Sequence, residues 1–491
     1  MKKLLILGSF VAVVTACNKE SGELVGVLGR EEWFQPDPFG MNYIHPGGFN
    51  MGPSDEDITF SHTTKSKTVS VQAFYIDDSE ISNNEYRQFV FRVKDSIARR
   101  KLIEDGIGNN GISTDQYEQE IDPPQINWKE KVDWEAQDVR EALVDMYLPE
   151  NERFYRRMEI DTRKLNFEYY WIDLKTAASK SNRFLPSKSP DKNGQDFING
   201  GTIARDQLGT YNVTKTVHKG DGFYEPLTKK GVDRSVFIIK DIINVYPDTL
   251  CWVHDYTYAF NEPLTNMYFW HPAYDDYPVV GITWKQARAF CVWRTQLLNS
   301  FFTHAGGTMV NDFRLPTEAE WEWAARGDLA LSPYPWGGPY IRNARGCFLG
   351  NFKPMRGLYF DDGGFHTVPI YSYNPNDYGL YCMAGNVSEW TSNAYDESAF
   401  DFTHDQNPDY VYEAQDNEPS VLKRKVIRGG SWKDIGYYLQ TSSRTYEYQD
   451  TAKCYIGFRC VRIFLGSRTV PFYKYPLYFT LCQRHFKFII K

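Results

Sequence analysis

The run Arg314-Leu-Pro-Thr-Glu-Ala-Glu-Trp-Glu-Trp-Ala-Ala-Arg-Gly327 constrains the fold more than any other part of this 491-residue chain. Thr317 is placed to cap a helix, and Glu320, three residues on, to reach back to the cap amide. Trp321, Trp323, Ala324 and Ala325 supply packing faces, and Gly327 a stop. Two more boxes of the same type, Ser82 with Glu85 and Thr283 with Gln286, predict helix starts elsewhere. After the first, Tyr86, Phe89, Val90 and Val93 recur at helical spacing. After the second, Trp284, Ala287, Cys291 and Leu298 do so, widened by Phe290, Trp293 and Leu297.

Composition narrows the setting. A net charge of −8 and a pI near 5.7 exclude nucleic acid as the main partner, because phosphate binding needs concentrated cations. The 34 Tyr, 32 Phe and 13 Trp point to a core built from rings, with aromatic protein or glycan surfaces as the weaker alternative. At the start, Lys2 and Lys3 precede an apolar run from Leu4 to Val14, too short to span a bilayer and laid out as a secretory signal. Small residues then lead to Cys17, as in a lipoprotein cleavage box. The expectation is a signal peptide over residues 1–16, acylation of Cys17, a tether over 17–40 that reaches about 25 Å as a coil, and a body on the periplasmic face of the outer membrane.

Beyond Arg314–Gly327, further segments occur in a fixed order. These are Phe49-Asn50-Met51-Gly52, Phe74-Tyr75-Ile76 with Glu80-Ile81-Ser82-Asn83, and Pro278–Trp284 running into Ala289–Trp293. Gly379-Leu380-Tyr381, Gly385–Trp390, Arg428-Gly429-Gly430-Ser431-Trp432 and Ile456–Cys460 complete the series. Together they resemble the formylglycine-generating enzyme family, also called the sulfatase-modifying factor family. The resemblance implies an α+β, C-type-lectin-like fold with much irregular structure over residues 41–464. The pattern is interrupted at about 95–244, read as one large insertion, and a tail over 465–491 lies beyond it. Within the interruption, Val139, Leu143 and Met146 predict an amphipathic helix and Phe167, Tyr169 and Trp171 a strand. Residues 186–234 read as long loops.

Enzymes of this family hold copper with two cysteines placed three and eight residues after the Ser of Arg-Gly-Gly-Ser, and soft thiolates suit Cu(I). Here those positions are Asp434 and Leu439, a hard acid and no ligand at all. No catalytic residue and no catalytic cofactor is therefore carried over. The resemblance also implies structural calcium, with Asn351 and Asp362 matching one ligand loop. Glu389, with the carbonyls of Gly385 and Val387, matches the other, although Cys382 stands where an oxygen ligand is usual. Plain turn chemistry is the competing reading of both loops. The nine His are scattered, and His254, His271, His304 and His366 form no iron-binding cluster. Seven cysteines remain after Cys17, an odd number. The family's usual bridge falls on Cys291 and Cys460, with Cys454 close enough in sequence to Cys460 to compete.

An enzyme-like scaffold without its cysteines, on a lipoprotein with a large insert, resembles the PorK/GldK group of type IX secretion and gliding-motility lipoproteins. Val245–Trp252 and Tyr268–Gly281 carry that likeness. It implies a ring under the outer membrane, made by self-association and a PorN-type ring partner together with other type IX secretion components, which supports protein export. The alternatives are a formylglycine-generating-type oxidase using another constellation and a periplasmic glycan- or peptidoglycan-binding module.

Overall fold

In the computed structural model, Thr317 caps the helix Glu318–Arg326 by the expected reciprocal pair. Its side chain accepts from the Glu320 amide, and its own amide donates to the Glu320 carboxylate at 2.9 Å. The boxes at Ser82 and Thr283 close in the same way and open the two long helices, Asn83–Glu104 and Trp284–His304. The structure describes residues 33, 35–53, 65–114, 117–155, 157–183, 185–186, 209–220, 223–231, 233–256, 262–355 and 364–466. The signal segment, Cys17, most of the tether and the tail from 467 lie outside them.

Two four-stranded sheets organise the body. One runs in the order Met41–Ile44, Phe74–Asp77, Val461–Ile463 and Phe313–Arg314, all antiparallel, so it joins the two ends of the family-like region. The other runs Thr445–Tyr448, Arg424–Arg428, Ser388–Ala394 and Ile456–Gly457, with the last pair parallel. Mixed helix and strand of this kind fit the α+β expectation. Tyr86, Phe89, Val90 and Val93 are buried on one face of the first long helix. They meet Phe290 and Trp293 of the second, with Tyr86 and Phe290 stacked at 5.6 Å. The rings are core here. Leu297 departs from the expected stripe and is 40% exposed, because the second helix outruns the body that covers its first half.

The interruption is built into this core. The first long helix passes residue 95 without a break, and its Ala98 and Leu102 pack with Val139, Leu143, Met146 and Tyr147. That helix prediction is met by Gln137–Ala142 followed by a 3-10 turn over Val144–Met146. The strand Asn166–Ile172 pairs with Ile238–Asn244, and its Tyr169 and the preceding Leu165 join the main cluster. The chain returns at Val245, whose carbonyl accepts from the buried Tyr86 hydroxyl at 3.0 Å. Val245 thus lies against the first long helix, ahead of residue 95.

One expectation is corrected. Residues 209–220 and 223–231 are not loop: Gly209–Gly220 and Phe223–Gly231 pair as long antiparallel strands. Tyr211, Val213, Thr214, Thr216 and Val217 are good strand formers, and the many Gly, Lys and Asp around them hid the signal. Among the described residues, no helix is long and apolar enough to cross a membrane.

Candidate functional site

The family signatures, far apart in sequence, bind one another around the turn that follows Arg428. Arg428 is 1% exposed and sits on the second sheet; it pairs with Glu322 and donates to the Ser443 carbonyl. Glu322 also holds Arg326 at 2.7 Å and accepts from the Gly52 amide, which ties Arg314–Gly327 to the Phe49–Gly52 segment. Glu318 takes Arg444 in the same buried layer. Such networks are costly to break, because removing one partner strands a charge in a low dielectric.

After Arg428 the chain turns through Gly429 and Gly430. Gly430 has φ 67, and a Cβ there would lie 2.7 Å from the Tyr438 carbonyl. The glycine lets the 436–439 turn close over the site. Asp434, the first of the two copper-ligand positions, completes this turn. Its carboxylate accepts from the Ser431 hydroxyl at 2.6 Å, its amide donates to the Ser431 carbonyl, and its own carbonyl accepts from the Lys353 amide at 2.8 Å. Burial pushes its carboxyl above the usual range, and the bonds from Ser431 oppose that. Leu439, the second position, is fully buried and packs with Tyr334, Phe352 and Ala384. Of the two positions at which the resemblance would place copper ligands, one clasps a turn and the other is part of the core.

A second polar centre lies where the Gly385–Trp390 and Ile456–Cys460 segments meet. Glu389 accepts from Arg459 Nε and Nη2 at 2.7 and 2.6 Å and from Trp321 Nε1 at 2.8 Å. Glu80 lies beside it and accepts from the Asn386 side chain at 2.8 Å and from the Val387 amide. Burial first, and then the neighbouring Glu389 charge, push the Glu80 carboxyl well above its ordinary value. The Arg459 charge and the bonds from Asn386 and Val387 oppose that rise.

These contacts bear on the calcium ligands. Both Glu389 oxygens are occupied and its charge is neutralised by Arg459, while Cys382 is a buried thiol directed at the Ile370 carbonyl. A hard cation at the second loop would have to displace Arg459, so that set does not fit calcium. In the first loop Asn351 is 1% exposed, and its amide donates to the His366 carbonyl at 2.8 Å; Asp362 lies outside the described residues. The two loops touch, since the Asn351 carbonyl accepts from the Asn386 amide at 2.8 Å.

The thiols of Cys291 and Cys460 face each other at 3.5 Å, both buried. Cys454 points elsewhere, to Asp255, so it does not compete for Cys460. Of the histidines, His271 caps a turn, His304 sits against the Ser300 carbonyl and His366 against the Thr367 carbonyl. Among the described residues, no group of three His, Cys, Asp or Glu could hold a metal ion. Sequence reasoning took Glu389 for a calcium ligand and missed the Glu80–Glu389–Arg459 centre, because its members lie far apart in the chain and nothing local pairs them.

A family model described as the sulfatase-modifying factor enzyme 1-like domain matches residues 207–464, more than half of the chain. The inactive C-alpha-formylglycine-generating enzyme 2 of Bos taurus is 34% identical over 192 residues, covering 38% of this chain and 50% of that protein. The formylglycine-generating enzyme of Streptomyces coelicolor is 31% identical over 191 residues, covering 38% of this chain and 52% of that protein. The chain thus spans about half the length of these curated relatives. PvdO from Pseudomonas aeruginosa superposes with a TM-score of 0.40 at 13% identity, over 86% of this chain and 94% of that one. On the match over residues 207–464, this chain belongs to the sulfatase-modifying factor enzyme 1-like family.

Proposed function

We propose that this chain is a non-catalytic, structural member of its family. The carrying observation is the fate of the two copper-ligand positions. Asp434 is spent on clasping the Ser431 turn and Leu439 on filling the core, so neither position offers a thiolate. A covering segment adds to this. Trp252 stacks on Trp432 at 6.2 Å, Lys433 pairs with Asp255, and Trp432 donates to the Cys454 carbonyl, so the short helix Cys251–Asp255 lies against the turn.

The finer reading is a lipoprotein acylated at Cys17, held at the periplasmic face of the outer membrane, that forms a ring with a PorN-type partner and supports type IX secretion. It draws on the Lys2–Cys17 signal pattern and on the likeness carried by Val245–Trp252 and Tyr268–Gly281. Head-to-tail contacts close into a ring when the rotation per subunit allows it. The test is to isolate the protein from outer membranes, identify what accompanies it and image the particles. Ring-shaped particles holding a second protein are expected, and single chains without a partner would overturn the assembly reading.

A further inference from the structure

Cys251 and Cys454 carry chemistry that the copper-ligand positions, the two polar centres and the Cys291–Cys460 pair leave unused. Cys251 opens the short helix Cys251–Asp255 and is 3% exposed; Cys454 is fully buried; both belong to one apolar cluster with Trp252, Leu264, Tyr268 and Val280. Gly281 brings their segments together. Its amide donates to the Lys453 carbonyl at 2.9 Å, its carbonyl accepts from the Asp248 amide, and a Cβ on it would lie 3.0 Å from the Cys251 sulfur. One residue without a side chain thus separates the two cysteine-bearing segments.

The helix face supplies the second argument. Cys454 donates its thiol hydrogen to the Asp255 carboxylate. Asp255 lies four residues after Cys251, on the same helical face, where such neighbours sit about 6 Å apart. The Cys454 sulfur therefore rests against the face that also bears Cys251, and burial, then Asp255, then the nearby Cys251 raise its proton affinity.

We propose that Cys251 and Cys454 form a second, buried disulfide that fastens the covering helix Cys251–Asp255 to the segment leading into Ile456–Cys460. Cys454 loses its proton to solvent, and the thiolate attacks the sulfur of a disulfide donor, releasing one donor thiolate that takes up a proton. Cys251, losing its own proton, then attacks the Cys454 sulfur of the mixed disulfide and releases the second donor thiol. The protein pair is oxidised and the donor reduced by two electrons. Because both sulfurs are shielded in the folded chain, the exchange takes place before the cluster closes. The proposal rests on the periplasmic reading for its oxidant, but not for its geometry.

The test separates the two. The full chain is synthesised cell-free in a buffer of oxidised and reduced glutathione, and separately purified from membranes. Each sample is denatured with iodoacetamide and no reductant, digested and mapped by mass spectrometry. A linked peptide pair containing Cys251 and Cys454, released by reductant, is expected in both, with essentially complete loss of alkylation at the two residues. Alkylated Cys251 and Cys454 in the glutathione sample, or a link from either to another cysteine, overturns the pairing. A link in that sample with free thiols in the membrane-derived one supports the pairing and overturns the oxidising location. Cys251→Ser is expected to restore alkylation of Cys454, and Cys454→Ser that of Cys251. The wild-type map decides the matter even where a variant fails to fold.

Discussion

Arg459 grips Glu389 through two nitrogens, at 2.7 and 2.6 Å, with both side chains out of contact with solvent. Removing the cation alone would leave Glu389 and Glu80 facing one another in a dry interior. Arg459→Met is expected to destabilise the fold by about 3–5 kcal/mol, and Arg459→Met with Glu389→Leu to recover most of that. Urea unfolding of the two variants checks it. Equal losses in both would mean that the pair acts through packing and not through its charges.

Leu439 and Asp434 should behave differently although both stand at copper-ligand positions. Leu439→Ala opens a cavity among Tyr334, Phe352 and Ala384, with an expected cost of about 2–5 kcal/mol. Asp434→Asn keeps an acceptor for the Ser431 hydroxyl and should cost about 1 kcal/mol or less. Thermal unfolding of the two variants side by side gives the comparison.

Lys425 is fully buried, donates to the Tyr412 carbonyl at 2.8 Å and lies 3.8 Å over the Trp284 ring. Burial lowers its pKa from 10.5 to about 8, against the pull of Glu413. Between those two values the unfolded chain holds the proton more firmly than the folded one, so stability rises with pH across that window and is lowest, for this group, below about pH 8. The wild type should gain about 3 kcal/mol on Lys425→Met between pH 8 and 10.5, order of magnitude. Denaturant unfolding of both proteins across that range measures the difference, and a flat difference would refute the assignment.

How much of this was legible in the residues depends on the range of the interaction. The three capping boxes, the buried stripe Tyr86–Val93 and the strand Phe167–Trp171 follow from local rules, and the structure realises them. The strand pair 209–220 and 223–231 was hidden because polar and glycine-rich residues masked a strand pattern, and strand pairing depends on a partner that local periodicity does not reveal. The Arg459–Glu389–Glu80 centre was hidden because its partners are brought together only by the sheets. Asp434 and Leu439 were readable as losses, whereas their new roles required the turn and the core to be seen.

The proposed assembly has its contact surface in the region 95–244, and the geometry says which part of that region can be removed without opening the core. Strands Asn166–Ile172 and Ile238–Asn244 pack on the main core, so removing them would expose it. The strand Gly209–Gly220 instead pairs with Leu185–Pro186 and meets Phe237 through Tyr211. Replacing residues 187–232 by a short Gly-Ser linker is expected to abolish particle assembly while leaving the melting temperature within a few degrees of the intact chain. Normal particles from that variant would move the contact surface elsewhere.

If Cys291 and Cys460 are bridged, reductant should lower the melting temperature of Cys251→Ser/Cys454→Ser, and the variant that also carries Cys291→Ala/Cys460→Ala should stay unmoved at a similar, lower value. The entropy model allows up to about 5 kcal/mol for so long a loop. A calorimetric scan with and without dithiothreitol measures it, and unchanged melting of Cys251→Ser/Cys454→Ser would show that the pair stays as thiols.

The absence of the thiolate pair is tested most directly by turnover. The purified chain, incubated with copper, oxygen and a cysteine-containing sulfatase peptide, is followed by mass spectrometry for the aldehyde product. No aldehyde above the protein-free control is predicted at any copper concentration. Aldehyde formed in proportion to the protein, and lost in Asp434→Asn, would contradict the non-catalytic account.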